Sequence, residues 1–254
     1  MHFLSLDVAF GALLFQCYFS QLFLGELPSH PHIYILFTTI WCIYLVDRQI
    51  DFTLQTPSDE RHVFQFKHQK WMFYLIGILL ILSIVLLFFI PLGIISLGCI
   101  LSLAIVAYWF IWSKGWFGSF VASKEVFTAF FYCSGVCLLN FYQGGISASF
   151  VLYFSLFFFI VLHHLLLFNS LETPFLPNWY HFLRVIEFLC VLCIGFLFFR
   201  YKEEKDWWNL SPLVLTFCIQ VWIHYFAFNL KSRVIGELAY FSPIIYFSYG
   251  FFSK

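Results

Sequence analysis

Charge is what this sequence has least of. Only 10% of its 254 residues are Asp, Glu, Lys or Arg, balanced at 13 acidic and 13 basic for a formal net charge of zero. Soluble domains carry roughly a quarter charged residues, so the shortage excludes an ordinary water-soluble fold. The balance argues against nucleic acid as a partner, which calls for a basic field. With 62% hydrophobic and 24% aromatic residues, the chain is built for lipid as its solvent. Cysteine is missing from the loops: Cys17, Cys42, Cys99, Cys133, Cys137, Cys190, Cys193 and Cys218 all lie inside apolar segments, so no disulfide is expected. The Cys190-x-x-Cys193 spacing lacks the polar neighbours that redox or zinc chemistry needs, since Phe188, Leu189, Val191 and Leu192 flank it. A basic n-region is missing too, and Asp7 interrupts the first apolar run, so no cleavable signal is expected.

What is abundant is long apolar runs. A spanning helix needs roughly 20 mostly apolar residues, and about nine such runs can be read off: Leu4 to Leu24, Ile33 to Val46, Trp71 to Ile90, Leu92 to Trp112, Val126 to Phe141, Phe150 to Phe168, Phe182 to Phe199, Leu210 to Leu230 and Ile235 to Phe252. The expected fold is therefore an all-α, polytopic integral membrane protein forming one domain over residues 1–254. Pro91 marks a tight turn between the third and fourth runs. The short second run spans only if Asp47 and Asp51 belong to its last turns. Lys and Arg collect in the loops that follow alternate runs, which places the N-terminus and the polar loops in the cytoplasm of an inner or plasma membrane. The segment Arg200 to Asp206, with charges of both signs, then falls outside.

The stretch from Trp41 to Lys70 is where the chain turns polar. Asp47 and Asp51, four residues apart, leave one face of a helix, and two acids on one face repel unless a cation sits between them. Arg48, Arg61, His62, Lys67, His68 and Lys70 follow, enough positive charge to hold an anion beside that cation. A divalent ion with a phosphate-bearing substrate is the economical reading. A second polar island, His163 to Glu172, puts Asn169 and Glu172 three apart on one face and on the same side of the membrane. Asp47, Asp51, Asn169 and Glu172 are therefore the expected magnesium ligands. Arg48, Arg61, His62, Lys67, His68 and Lys124 are the expected phosphate-binding groups. Lys124 earns its place by standing beside Glu125 at the mouth of the fifth run, in a loop that also carries Tyr108, Ser113, Lys114 and Ser123.

Charge at membrane depth costs at least about 2.5 kcal/mol, so each further instance needs a partner. Arg184 and Glu187, three apart, are expected to pair with each other, and Asp7 is read as an acid at a helix start. A transition-metal site built from His62, His68, His163 and His164 is disfavoured. Adjacent histidines point to different faces, and no H-E-x-x-H or other usual zinc spacing is present.

These features together resemble the UbiA-type intramembrane prenyltransferase superfamily: nine spans, an acidic motif after the second, another after the sixth, and a lysine-bearing loop after the fourth. The family's first motif, N-D-x-x-D-x-x-x-D, laid on Ile43 to Asp51, matches at Asp47 and Asp51 and meets Ile43 and Tyr44 at its first two positions. Its second motif corresponds to Asn169-Ser170-Leu171-Glu172, with Leu176 where a further acid would come. The start Leu4-Ser5-Leu6-Asp7, the centre Tyr44-x-x-Asp47-Arg48 followed by Glu60-Arg61-His62, and the Lys124-Glu125 pair resemble an uncharacterised branch of that superfamily. The resemblance implies a UbiA-like helical bundle that uses Mg2+ to move an isoprenoid chain from a polyprenyl diphosphate to a lipid-soluble acceptor. The alternatives are a non-catalytic membrane protein of the same fold that binds an isoprenoid or lipid phosphate, and a small transporter. Polar groups gathered at one end, not at the midplane of several spans, speak against the transporter.

Overall fold

The computed structural model describes residues 6–54, 60–113, 122–172, 179–200, 204–226 and 232–252. About 91% of them are helical and no strand occurs among them. Helix α1 (Leu6–Phe23) opens with Asp7 in its first turn, where the Asp7 Oδ1 accepts the Val8 N–H at 3.0 Å. The chain then reverses through Gly25, whose φ of 77° is one that side chains rarely adopt. Helix α2 runs from His30 to Leu54, so Asp47 and Asp51 do lie on the last turns of a spanning helix, as the short second run requires.

Helices α3 (Glu60–Lys67) and α4 (Gln69–Leu87) follow, and the turn at Pro91 leads into α5 (Leu92–Ser113). Helix α6 (Ala122–Val136) continues after a break at Cys137 as α7 (Leu138–Gln143). Then come α8 (Ala148–Glu172), α9 (Trp179–Arg200), α10 (Glu204–Phe226), α11 (Arg233–Leu238), a 3₁₀ turn (Ala239–Phe241) and α12 (Pro243–Phe252).

Six of these helices are long and apolar enough to cross a membrane: Leu6–Phe23, His30–Ile50, Gln69–Leu87, Leu92–Ile111, Ala148–Ser170 and Tyr180–Arg200. The other three expected runs depart for visible reasons. The fifth is divided at Cys137. The eighth lies in α10, where Asn209, Gln220 and His224 interrupt the apolar run. The ninth is broken at Pro243, which has no N–H with which to continue a helix.

Two helices carry the core. Ala9, Ala12, Phe15, Tyr18 and Phe19 of α1 and Leu156, Phe157 and Ile160 of α8 have no exposed surface. Their aromatic rings interlock, with Phe15 stacked on Phe157 at 4.6 Å and Phe19 edge-on to Phe157 at 5.3 Å. Close contact of this kind matters in lipid, because hydrocarbon tails remove the hydrophobic drive between helices and leave packing to hold them. Helices α4 and α5 instead turn Phe73, Ile78, Ile81, Ile100 and Leu103 outward, as lipid-facing helices do.

Polar stitches fix neighbouring helices. Asn140 Nδ2 of α7 donates to the Phe19 carbonyl of α1 at 3.0 Å, and Ser83 Oγ of α4 donates to Thr38 Oγ1 of α2 at 2.9 Å. Pro212 interrupts the α10 ladder, and Ser211 Oγ donates to the Trp208 carbonyl, at 2.8 Å, that an amide at 212 would otherwise have satisfied. The Pro212 carbonyl in turn receives both Thr216 Oγ1 (2.8 Å) and Ser242 Oγ (2.9 Å), which ties α10 to the turn before α12. All eight cysteines are free thiols.

Candidate functional site

The end of α2, the start of α6 and the end of α8 converge at one end of the bundle. Lys124 Nζ stands 3.9 Å from Asp47 Oδ2, with both side chains about three-quarters covered. The next residue, Glu125, is buried, and its Oε1 accepts a short hydrogen bond from Asn169 Nδ2. Side chains from three segments far apart in sequence thus meet through two direct contacts, with α6 as the bridge. The local reason is helical phase: Lys124 and Glu125 are adjacent, about 100° apart, and reach α2 and α8 respectively.

Arg48 is buried one residue beyond Asp47, and its guanidinium lies 6.0 Å from the Tyr44 ring centroid, an arrangement available to i, i+4 neighbours. Helix α11 borders the same end. Arg233 Nε donates to the buried Glu237 Oε1 at 3.2 Å, and the Arg233 guanidinium lies 5.8 Å from the Phe168 ring. Gly236 permits that approach: a Cβ there would stand 2.6 Å from Phe168 Cζ.

The remaining expected site residues fall elsewhere. Lys67 is exposed at the end of α3. His68 turns back on its own helix, donating from Nδ1 to the Phe64 carbonyl at 2.8 Å with its ring 4.4 Å from that of Phe64. The side chains of Asp51, Arg61, His62 and Glu172 lie outside the described residues.

One pairing is corrected. Glu187 does not pair with Arg184: its Oε1 lies 3.2 Å from His163 Nε2 and 2.7 Å from His224 Nδ1, and its Oε2 accepts the Tyr225 hydroxyl at 3.0 Å. Three residues along a helix leave side chains some 60° apart. That is enough here for Glu187 to be buried while Arg184 is exposed. The adjacent histidines diverge as expected: His163 faces Glu187, whereas His164 packs edge-on against Tyr240 (5.0 Å) and Phe168 (4.7 Å).

No family model, curated protein or solved structure matches the chain. What it does must therefore be argued from these residues.

Two groups escaped sequence reasoning. His224 and Glu237 sit singly in apolar runs, and the cost of a lone polar group at membrane depth was the available signal for both. The oxygen donors at the first site, Asp47 and Glu125 with the Asn169 amide, belong to the hard class that magnesium takes. Lys124 beside Asp47 stands where positive charge is wanted.

Proposed function

We propose that the protein is a magnesium-dependent intramembrane prenyltransferase, built like the UbiA-type enzymes its motifs resemble, acting on a polyprenyl diphosphate at the end where α2, α6 and α8 meet. One observation carries the reading: Asp47, Lys124 and Asn169, drawn from three separate polar segments, come together at that single end of the bundle. Asp47 with Asp51, and Asn169 with Glu172, are the groups that would hold the magnesium. When bound, the ion neutralises the charge that builds on the diphosphate as the allylic C–O bond breaks.

The chain's own residues do the rest. Arg48 and Lys124, with Arg61 and His62, bind and orient the anion, and their effect is strengthened by the low-dielectric walls of the bundle. Lys124 holds Asp47 at the long limit of an ion pair, so a diphosphate draws its ammonium away cheaply and frees the carboxylate. The aromatic flank that includes Tyr44 and Phe168 keeps water from the prenyl chain. The acceptor is a lipid-soluble molecule reaching the site from the membrane.

A second reading has its own support. Asp47 already faces a lysine, and Glu125 already holds Asn169. A protein that binds an isoprenoid or lipid phosphate without a metal would use this arrangement unchanged.

Calorimetry separates the two. Affinity for a prenyl diphosphate is measured with and without magnesium, on the natural protein and on Asp51→Asn. The enzyme reading expects tight binding only for the natural protein with magnesium, because ion and diphosphate each supply charge the other requires. The binding reading expects magnesium to make no difference. Absence of binding in all four measurements refutes both.

A further inference from the structure

We infer that His163 of α8, Glu187 of α9 and His224 of α10 form a second metal centre, specific for a zinc-class transition ion and separate from the polar end around Asp47. The ligand atoms are His163 Nε2, Glu187 Oε1 and His224 Nδ1, all within 4.8 Å of one another. They come from three helices, and the cluster is buried: His163 has no exposed surface, and His224 and Glu187 are at 6% and 9%.

Two of the three ligand separations lie near those of a metal shell. Tetrahedral zinc with bonds of about 2.0 to 2.1 Å places neighbouring ligand atoms about 3.3 Å apart. The His163 to Glu187 separation is 3.2 Å already, and the His224 to Glu187 separation of 2.7 Å needs only a small opening. Two imidazoles and one carboxylate are the ligand type of catalytic zinc, which leaves a fourth position for water or a substrate oxygen.

The hydrogen bonding around the cluster supplies the independent argument. Gln220 Nε2 donates to Tyr240 Oη at 3.4 Å, which turns its Oε1 toward His163 Nδ1 at 3.1 Å. With Gln220 so turned, its oxygen accepts from His163 Nδ1, which then carries the hydrogen; the opposite amide orientation reverses both roles. In the neutral ring Nε2 is then a bare lone pair, and it faces a carboxylate oxygen. Two acceptors 3.2 Å apart repel unless a cation stands between them. On its other side the same oxygen lies 2.7 Å from His224 Nδ1, a hydrogen bond that metal binding would replace.

Outer groups match those of metal centres, where the second ring nitrogen of a ligating histidine is held by a protein acceptor and the ligating carboxylate is itself hydrogen-bonded. Gln220 fills the first role, and Tyr225, donating to Glu187 Oε2 at 3.0 Å, fills the second. The setting adds a motive: a carboxylate within an apolar helix of a membrane protein needs positive charge beside it, and Arg184 does not provide it. Nitrogen ligands select a borderline ion such as Zn2+ over Mg2+, so the two centres do not compete for one metal.

The rival occupant of the gap is a proton, which would make His163 an imidazolium in a purely structural network. The test uses the full chain in detergent, stripped with a chelator and titrated separately with Zn2+ and Co2+. Metal content, the visible absorption of tetrahedral Co2+ and thermal unfolding are followed, and the same is done for Glu187→Gln, His224→Gln and a remote control, His30→Ala. The expected result is one Zn2+ per chain, a cobalt spectrum of tetrahedral intensity and a melting temperature raised by either metal. At least tenfold weaker binding is expected in both cluster variants, with the control unchanged. A folded natural protein that takes up no metal overturns the proposal and leaves the protonated network, as does metal bound equally by the cluster variants. The natural protein's own titration decides even if a variant fails to fold.

Discussion

The Asp47–Lys124 contact is the place to test whether the polar end is a site or a strut. At close to 4 Å and an effective dielectric of about 20, the Coulomb attraction between two such charges is about 4 kcal/mol. Both side chains retain 23–26% exposure, so solvent screening and the ordering of a long lysine offset most of it. A net coupling of about 1 kcal/mol is therefore expected from a double-mutant cycle with Asp47→Asn, Lys124→Gln and both together, read by equilibrium unfolding in detergent. Coupling below about 0.3 kcal/mol refutes the ion pair. The same variants report on ligand binding. A diphosphate contacted by Lys124 loses a charge-assisted bond in Lys124→Gln, about 1.5 to 3 kcal/mol, or roughly 10- to 150-fold in affinity. Asp47→Asn keeps the side-chain shape, and under the proposed function it removes a metal ligand and so abolishes the magnesium dependence of binding. If Lys124→Gln changes stability and leaves diphosphate affinity untouched, the pair is structural and the site assignment fails.

Other outcomes are equally open to measurement. Gly11→Ala destabilises the protein by about 1 to 3 kcal/mol in the same unfolding assay, since overpacking outweighs the better helix propensity of alanine. The new Cβ would stand 2.9 Å from Tyr240 Cβ, an atom with no freedom to swing aside. A Gly11→Ala protein as stable as the natural one refutes the close approach of α1 to the 3₁₀ turn. Orientation is tested by single substitutions at two exposed positions, Lys67→Cys and Ile146→Cys. With an impermeant thiol reagent on intact cells, Ile146→Cys is labelled and Lys67→Cys is not, because the Lys and Arg bias puts the α3 end in the cytoplasm. The reverse pattern inverts the topology.

By itself, the sequence determined the helical class, the membrane as solvent and the face shared by Asp47 and Asp51. Each of those follows from a local property, either composition or a period along one helix. The Pro91 turn was legible for the same reason: a residue without an N–H acts where it stands. So was the divergence of His163 and His164, which the helical period alone imposes. The run from Ile235 to Phe252 reads as one apolar stretch, and a count of apolar residues does not show that Pro243 divides it into α11, a 3₁₀ turn and α12.

Only the tertiary structure decided which helices meet. Nothing in the spacing of Lys124 and Glu125 says that one reaches Asp47 and the other Asn169. That depends on α6 lying between α2 and α8. The same holds for Glu187. Arg184 is its neighbour by number, and the local rule favoured that pair, but burial against α8 and α10 offered it two histidines and a tyrosine instead. A short-range rule ranks partners along one helix. The choice of partner was made by long-range packing, because a buried carboxylate takes its polar partners from whatever the facing helices present.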